Sequence, residues 1–137
     1  MEASDPGRKR AVETDAAPAP IGPYSQAVEA DGVLHCSGQV PLDPASGELV
    51  EGGIAEQTLR CLESLDAVCR EGGTELAEAV RIGIYLTDMS LFPKLNEVYA
   101  TFFTEPFPVR TTVGVAALPK GALVEMDATV PLPRESP

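Results

Sequence analysis

Three observations on the chain predict an α+β domain. Short runs alternate apolar and polar residues, as strands with one buried face do, and two longer stretches repeat apolar residues every three or four positions, as amphipathic helices do. The runs follow the order β-β-α-β-α-β-β, which lays two helices over one face of a single sheet. A length of 137 residues suits one domain with one core.

Residues 1–18 mix charge, alanine and proline without periodicity and are expected to form an unstructured acidic extension; the domain proper is expected over 19–131, with a short tail at 132–137. Ile21-Gly22-Pro23 leads by a turn into an extended segment through Val28. Asp31-Gly32 is a strong hairpin signal, and Val33–Val40 follows as a strand with Leu34, Cys36, Gly38 and Val40 on one side and His35, Ser37 and Gln39 on the other. Residues 41–53, rich in Pro, Asp, Ser and Gly, read as a loop.

The first helix starts at Ile54. Its apolar positions Cys61, Leu62, Leu65, Val68 and Cys69 keep helical spacing until Gly72-Gly73 stops it. Thr74 is expected to cap a short turn through Glu78, followed by a strand with Ile82, Ile84 and Leu86 on one face. Arg81, Gly83, Tyr85 and Thr87 make a mixed opposite face that suits contact with another subunit. Ser90 is the expected cap of a second helix with the stripe Leu91, Leu95, Val98 and Phe102, broken by Pro106. Two strands, about 110–117 and 123–130, end the domain as expected antiparallel neighbours.

Lys plus Arg number 10 against 21 Asp plus Glu, a formal charge of −11. Such a field repels phosphate backbones, so nucleic acid is not the expected partner; the one basic cluster, Arg8-Lys9-Arg10, sits among acids. The N-terminus lacks the apolar core of a signal peptide and no apolar run is long enough to span a membrane, so a cytoplasmic protein is expected. Cys36, Cys61 and Cys69 are odd in number and lack C-x-x-C spacing, which points to neither a disulfide framework nor a metal site.

Arg110 stands out, because a guanidinium between a proline turn and a β-branched strand needs a carboxylate, carbonyls or an anionic ligand. In the last strand Glu125 lies between apolar neighbours. Alternation lets Arg110, Thr112 and Glu125 share a sheet face, which leaves two readings: a salt bridge in direct contact, or a pocket in which the fork binds a small carboxylate and Glu125 handles a proton or water. Tyr24 is either a turn tyrosine or a group that orients water. Ser37-Gly38 is either a strand end or a close approach for a ligand, and Asn96 either caps or bonds across the structure. His35, the lone histidine, suits a solvated or core role.

Taken together, Ile21–Ala27, Ser37-Gly38-Gln39, Asn96–Tyr99, Phe107–Thr112 and Ala117–Gly121 through Met126 resemble the RidA/YjgF family of imine deaminases over about residues 18–131. The resemblance implies a chorismate-mutase-like fold and a homotrimer with pockets between subunits. It implies cofactor-free hydrolysis of 2-imino acids to 2-keto acids and ammonia. By the same resemblance Arg110 clamps the carboxylate, Glu125 activates water, Tyr24 orients ligand or water, and Ser37, Gly38, Asn96 and Thr112 line or support the pocket. Thr112 departs from the cysteine that deaminases of this type often carry. That difference motivates one alternative, a pathway-specific enzyme on a larger imine, enamine or carbamate; the alternative outside catalysis is a non-catalytic small-acid-binding or chaperone-like protein that keeps the arginine clamp without turnover.

Overall fold

In the computed structural model, which describes residues 8–134, six strands form one sheet and two helices cover it. The strands are β1 (Arg10–Val12), β2 (Ala27–Ala30), β3 (Val33–Gln39), β4 (Arg81–Leu86), β5 (Val109–Gly114) and β6 (Val124–Pro131). The helices are α1 (Ile54–Glu71) and α2 (Phe92–Tyr99). Spatial order is β1-β2-β3-β6-β4-β5, antiparallel throughout except for the parallel pair β4 and β5. A parallel pair requires a crossover, and α2 supplies it.

The expected hairpin is present: Asp31 and Gly32 both take positive φ, 54° and 77°, as a tight turn between twisted strands requires. The core is one cluster. Leu34 and Cys36 of β3, Ile82, Ile84 and Leu86 of β4, and Val124, Met126, Ala128 and Val130 of β6 face Cys61, Leu62, Leu65, Val68 and Cys69 of α1 and Leu95 of α2. The cysteines of α1 are therefore packing groups; Cys61 donates to the carbonyls of Gln39 and Val124.

Several expectations are overturned. Residues 10–12 are not unstructured but pair with β2, and the segment after them is pinned by Gln26, which is 2 % exposed. Its amide bonds Thr14 N and the carbonyls of Thr14, Ala17 and Pro18, backbone groups that carry no sequence pattern. Residues 1–7 lie outside those described. Thr74 does not cap the turn at Leu76–Glu78 but donates to Pro131 O. Asp88, not Ser90, closes the start of the second helical region, accepting from the backbone and hydroxyl of Ser90. α2 ends at Tyr99 rather than near Pro106, and Tyr99 and Phe103 are buried where Val98 and Phe102 are only partly so.

β5 and β6 do not pair. β6 is hydrogen-bonded to both β3 and β4, and β5 lies at the sheet edge. The nine residues between Gly114 and Val124 reach roughly 30 Å when extended, ample to cross one intervening strand. The β3 alternation also fails at its end. Cys36 opposes Ala128 but Gln39 opposes Met126, so Ser37 and Gly38 share Asp127 as their opposite in a β-bulge. The extra residue turns Gln39 inward, 6 % exposed, and takes Gly38 out of the core face.

Replacing Gln26 by Ala should lower unfolding free energy by about 1–3 kcal/mol, because backbone groups of Thr14, Ala17 and Pro18 lose a buried partner. Urea unfolding checks this, and an unchanged midpoint would show that the N-terminal segment is held by other contacts.

Candidate active site

The bulge and the glycine within it set the geometry of the first group of residues. Glu125 lies on the sheet face away from the helices, in register with Tyr85 of β4, and its carboxylate folds over Gly38. A Cβ at Gly38 would overlap that carboxylate, so the close approach needs glycine. Ser37 ties in the preceding loop: its hydroxyl donates to Ser25 O at 2.6 Å and its N–H to Gln26 O at 2.9 Å. That loop carries Tyr24, whose N–H bonds Gly22 O and whose ring stands half-exposed. Tyr24, Ser37, Gly38 and Glu125 thus line one open cavity of about 440 Å³, with Ile21, Val40 and Pro119 as its apolar wall.

Glu125 is half-buried. Burial, then the charge of Asp127, hold its carboxyl above the ordinary carboxylate value of 4.5. Asp127 lies two residues on along the same face and accepts the Tyr85 hydroxyl at 2.8 Å. The result is a carboxylate that is a better proton acceptor than a solvated one.

Arg110 belongs to a second group. It pairs in register with Ile82, a core residue, and projects to the helix side of the sheet. Its guanidinium lies 5.2 Å from the centre of the Phe92 ring and 4.8 Å from that of Tyr99, while Nη1 donates to Asn96 Oδ1 at 2.9 Å. Phe92, Asn96 and Tyr99, at helical spacing, form a cradle on α2. Asn96 is thus a partner of Arg110. Thr112 shares this side, and its hydroxyl oxygen, like that of Tyr99, is buried without a partner.

The salt-bridge reading and the shared face both fall. Ion pairs among the described residues involve Arg10, Arg60, Arg70 and Lys94, not Arg110. With β4 between β5 and β6, the strands bearing Arg110 and Glu125 stand roughly 10 Å apart, and their side chains leave on opposite faces. The structure therefore joins Tyr24, Ser37, Gly38 and Glu125, and separately joins Asn96, Arg110 and Thr112. Sequence reasoning missed Asp127 and the rings of Phe92 and Tyr99. The i, i+2 spacing from Glu125 and the i, i+4, i+7 spacing on α2 were the available signals. Among the described residues there is no cluster of metal-ligating side chains, and no helix is long and apolar enough to cross a membrane.

A family model described as "Endoribonuclease L-PSP" matches residues 14–131. A RutC family protein of Pyrococcus abyssi is 45% identical over 120 residues, covering 88% of this chain and 94% of the relative. The human protein named 2-iminobutanoate/2-iminopropanoate deaminase is 40% identical, with 88% of each chain covered. Among solved structures, RidA from an Antarctic Psychrobacter superimposes with a TM-score of 0.86 at 41% identity, covering 90% of this chain and 99% of that one.

Because burial and Asp127 raise the Glu125 carboxyl, the folded protein holds that proton more tightly than the unfolded chain does. The ionised form is thus penalised as pH rises through and above the ordinary value. Glu125→Gln should raise the melting temperature at pH 7, and the gain should vanish below about pH 4 where both states are protonated. Thermal melts at the two pH values check it; a lower melting temperature at pH 7 would mean that the ionised carboxylate stabilises the fold.

Proposed function

Since the chain belongs to the RidA/YjgF family, we propose that it hydrolyses 2-imino acids to 2-keto acids and ammonia. The observation that carries this reading is the complementary pair of groups: a cation cradled by two rings and an amide, and a half-buried carboxylate at the floor of a cavity. In the proposed site Arg110 holds the substrate carboxylate through its remaining N–H groups, a bidentate match that fixes orientation.

Glu125 takes a proton from water, whose oxygen adds to the electrophilic iminium carbon. The proton passes to the nitrogen of the resulting carbinolamine, the C–N bond breaks with ammonia as the leaving group, and Glu125 takes the hydroxyl proton as the carbonyl forms. Tyr24 lies on the wall of the same cavity, and its proposed role is to orient that water. The protein needs no cofactor for this addition and elimination; its task is to hold the acid and aim the water.

Opposite faces keep the two groups of one chain apart, so the proposed site draws its arginine and its glutamate from neighbouring subunits of a homotrimer. The open sheet face and the exposed Val109 and Val113 of edge strand β5 suit such packing. RNA cleavage, which the family description names, is disfavoured by a net charge of −11.

Generating the imine in place with an amino acid oxidase or a threonine dehydratase tests the proposal. The protein should speed decay of the imine, Arg110→Ala should lower kcat/KM roughly 10- to 100-fold, and Glu125→Gln should lower kcat roughly 100-fold. No acceleration, or full activity in Arg110→Ala, would overturn it. Gly38→Ala should displace the Glu125 carboxylate and reduce kcat while leaving the melting temperature within a few degrees, because the displaced atoms end a flexible side chain.

A further inference from the structure

Two side chains beside the cavity have no part in that chemistry and yet are held in place. Tyr85 is the register partner of Glu125, and Gly83 is that of Asp127. The Tyr85 hydroxyl donates to Asp127 Oδ2 at 2.8 Å. A Cβ at Gly83 would overlap Asp127 Oδ1 and come within 3.1 Å of the Tyr85 hydroxyl, so bare backbone there admits the pair. The Ser37-Gly38 bulge stands across from Asp127 on the other strand. Glycine on one side, a bulge on the other and a phenol above fix where this carboxylate sits.

We propose that Asp127, fixed by Tyr85, is a positioning residue that acts through Glu125, its negative charge keeping the neighbouring carboxylate a strong proton acceptor. The proposal rests on the reading of Glu125 as the base that activates water. The Tyr85 hydrogen bond holds the Asp127 carboxylate in place on the face it shares with Glu125. Successive side chains on one strand face stand roughly 7 Å apart, close enough for an appreciable like-charge interaction at a half-buried surface.

Among the groups of its own chain around Glu125, none offsets that charge. Tyr24 comes from the loop and Ser37 from β3, both of them hydroxyl side chains. From β4, Arg81 turns its guanidinium to Thr111 Oγ1 at 3.4 Å. From α1, the Cys61 thiol is neutral, pushed far up by burial, and engaged with backbone carbonyls. The raised carboxyl of Glu125, with burial first and Asp127 second, agrees with the geometry, as does the raised phenol of Tyr85.

The test is a titration of the Glu125 carboxyl carbon by NMR in the full chain labelled with ¹³C-glutamate, its signal assigned by its loss in Glu125→Gln. Asp127→Asn keeps the shape and an acceptor for Tyr85 but removes the charge. Its Glu125 midpoint should fall by roughly 0.5 to 1 pH unit, with the acid limb of imine hydrolysis moving down alongside. Tyr85→Phe, which frees Asp127 to turn to solvent, should move the midpoint in the same direction by less, and it carries the test if Asp127→Asn does not fold. An unmoved midpoint overturns the proposal. The titration needs no turnover, so absent imine hydrolysis would defeat the functional reading while leaving the Asp127 measurement decisive.

Discussion

The last strand is hydrogen-bonded along both edges, and that single constraint assigns every candidate side chain its place. With β6 between β3 and β4, its alternation is locked: Val124, Met126, Ala128 and Val130 must fill the helix-covered core, so Glu125 and Asp127 must leave on the open face. The same position pushes β5 to the edge beside β4, where register with Ile82 turns Arg110 toward α2. A slip of one residue in β6 would bury two acids and expose four apolar side chains, so the register is strongly determined.

The two charged groups are solved by different physics. Arg110 is accommodated by flat aromatic faces and one amide oxygen, contacts that hold a delocalised cation without neutralising it. The guanidinium therefore keeps N–H groups for an anion. Glu125 has the reverse treatment, partial burial beside a second acid, which makes its proton affinity higher and its ionised form dearer to hold. A cation and a carboxylate so prepared match what the proposed reaction asks of them, an acid to hold and a water to aim.

Much of this was legible from residue order. Periodicity placed α1 within its observed ends, the Asp31-Gly32 turn and the β4 core face, and the motifs pointed to the family and to the seven candidate residues. Hidden from it were features that depend on pairing at long range. The bulge at Ser37-Gly38 is defined by a partner strand nearly ninety residues away, and the crossing of β6 past β4 looks, in sequence, like a short hairpin. The face shared by Arg110 and Glu125 failed for that reason: alternation fixes sides within a strand, while only the pairing order relates one strand's sides to another's. Gln26 escaped notice because a buried amide bonding backbone groups has no periodic signature.

That the acid clamp and the base meet only between subunits is the central claim, and complementation measures it most directly. Arg110→Ala and Glu125→Gln chains, each expected to be strongly impaired alone, would be co-expressed with different tags and purified through both. A trimer holding both kinds of chain has one interface where an intact Arg110 meets an intact Glu125, so imine hydrolysis should return to about one third of the wild-type rate. Activity that stays at the level of the single variants would contradict the account, because a site built within one chain cannot be restored by mixing.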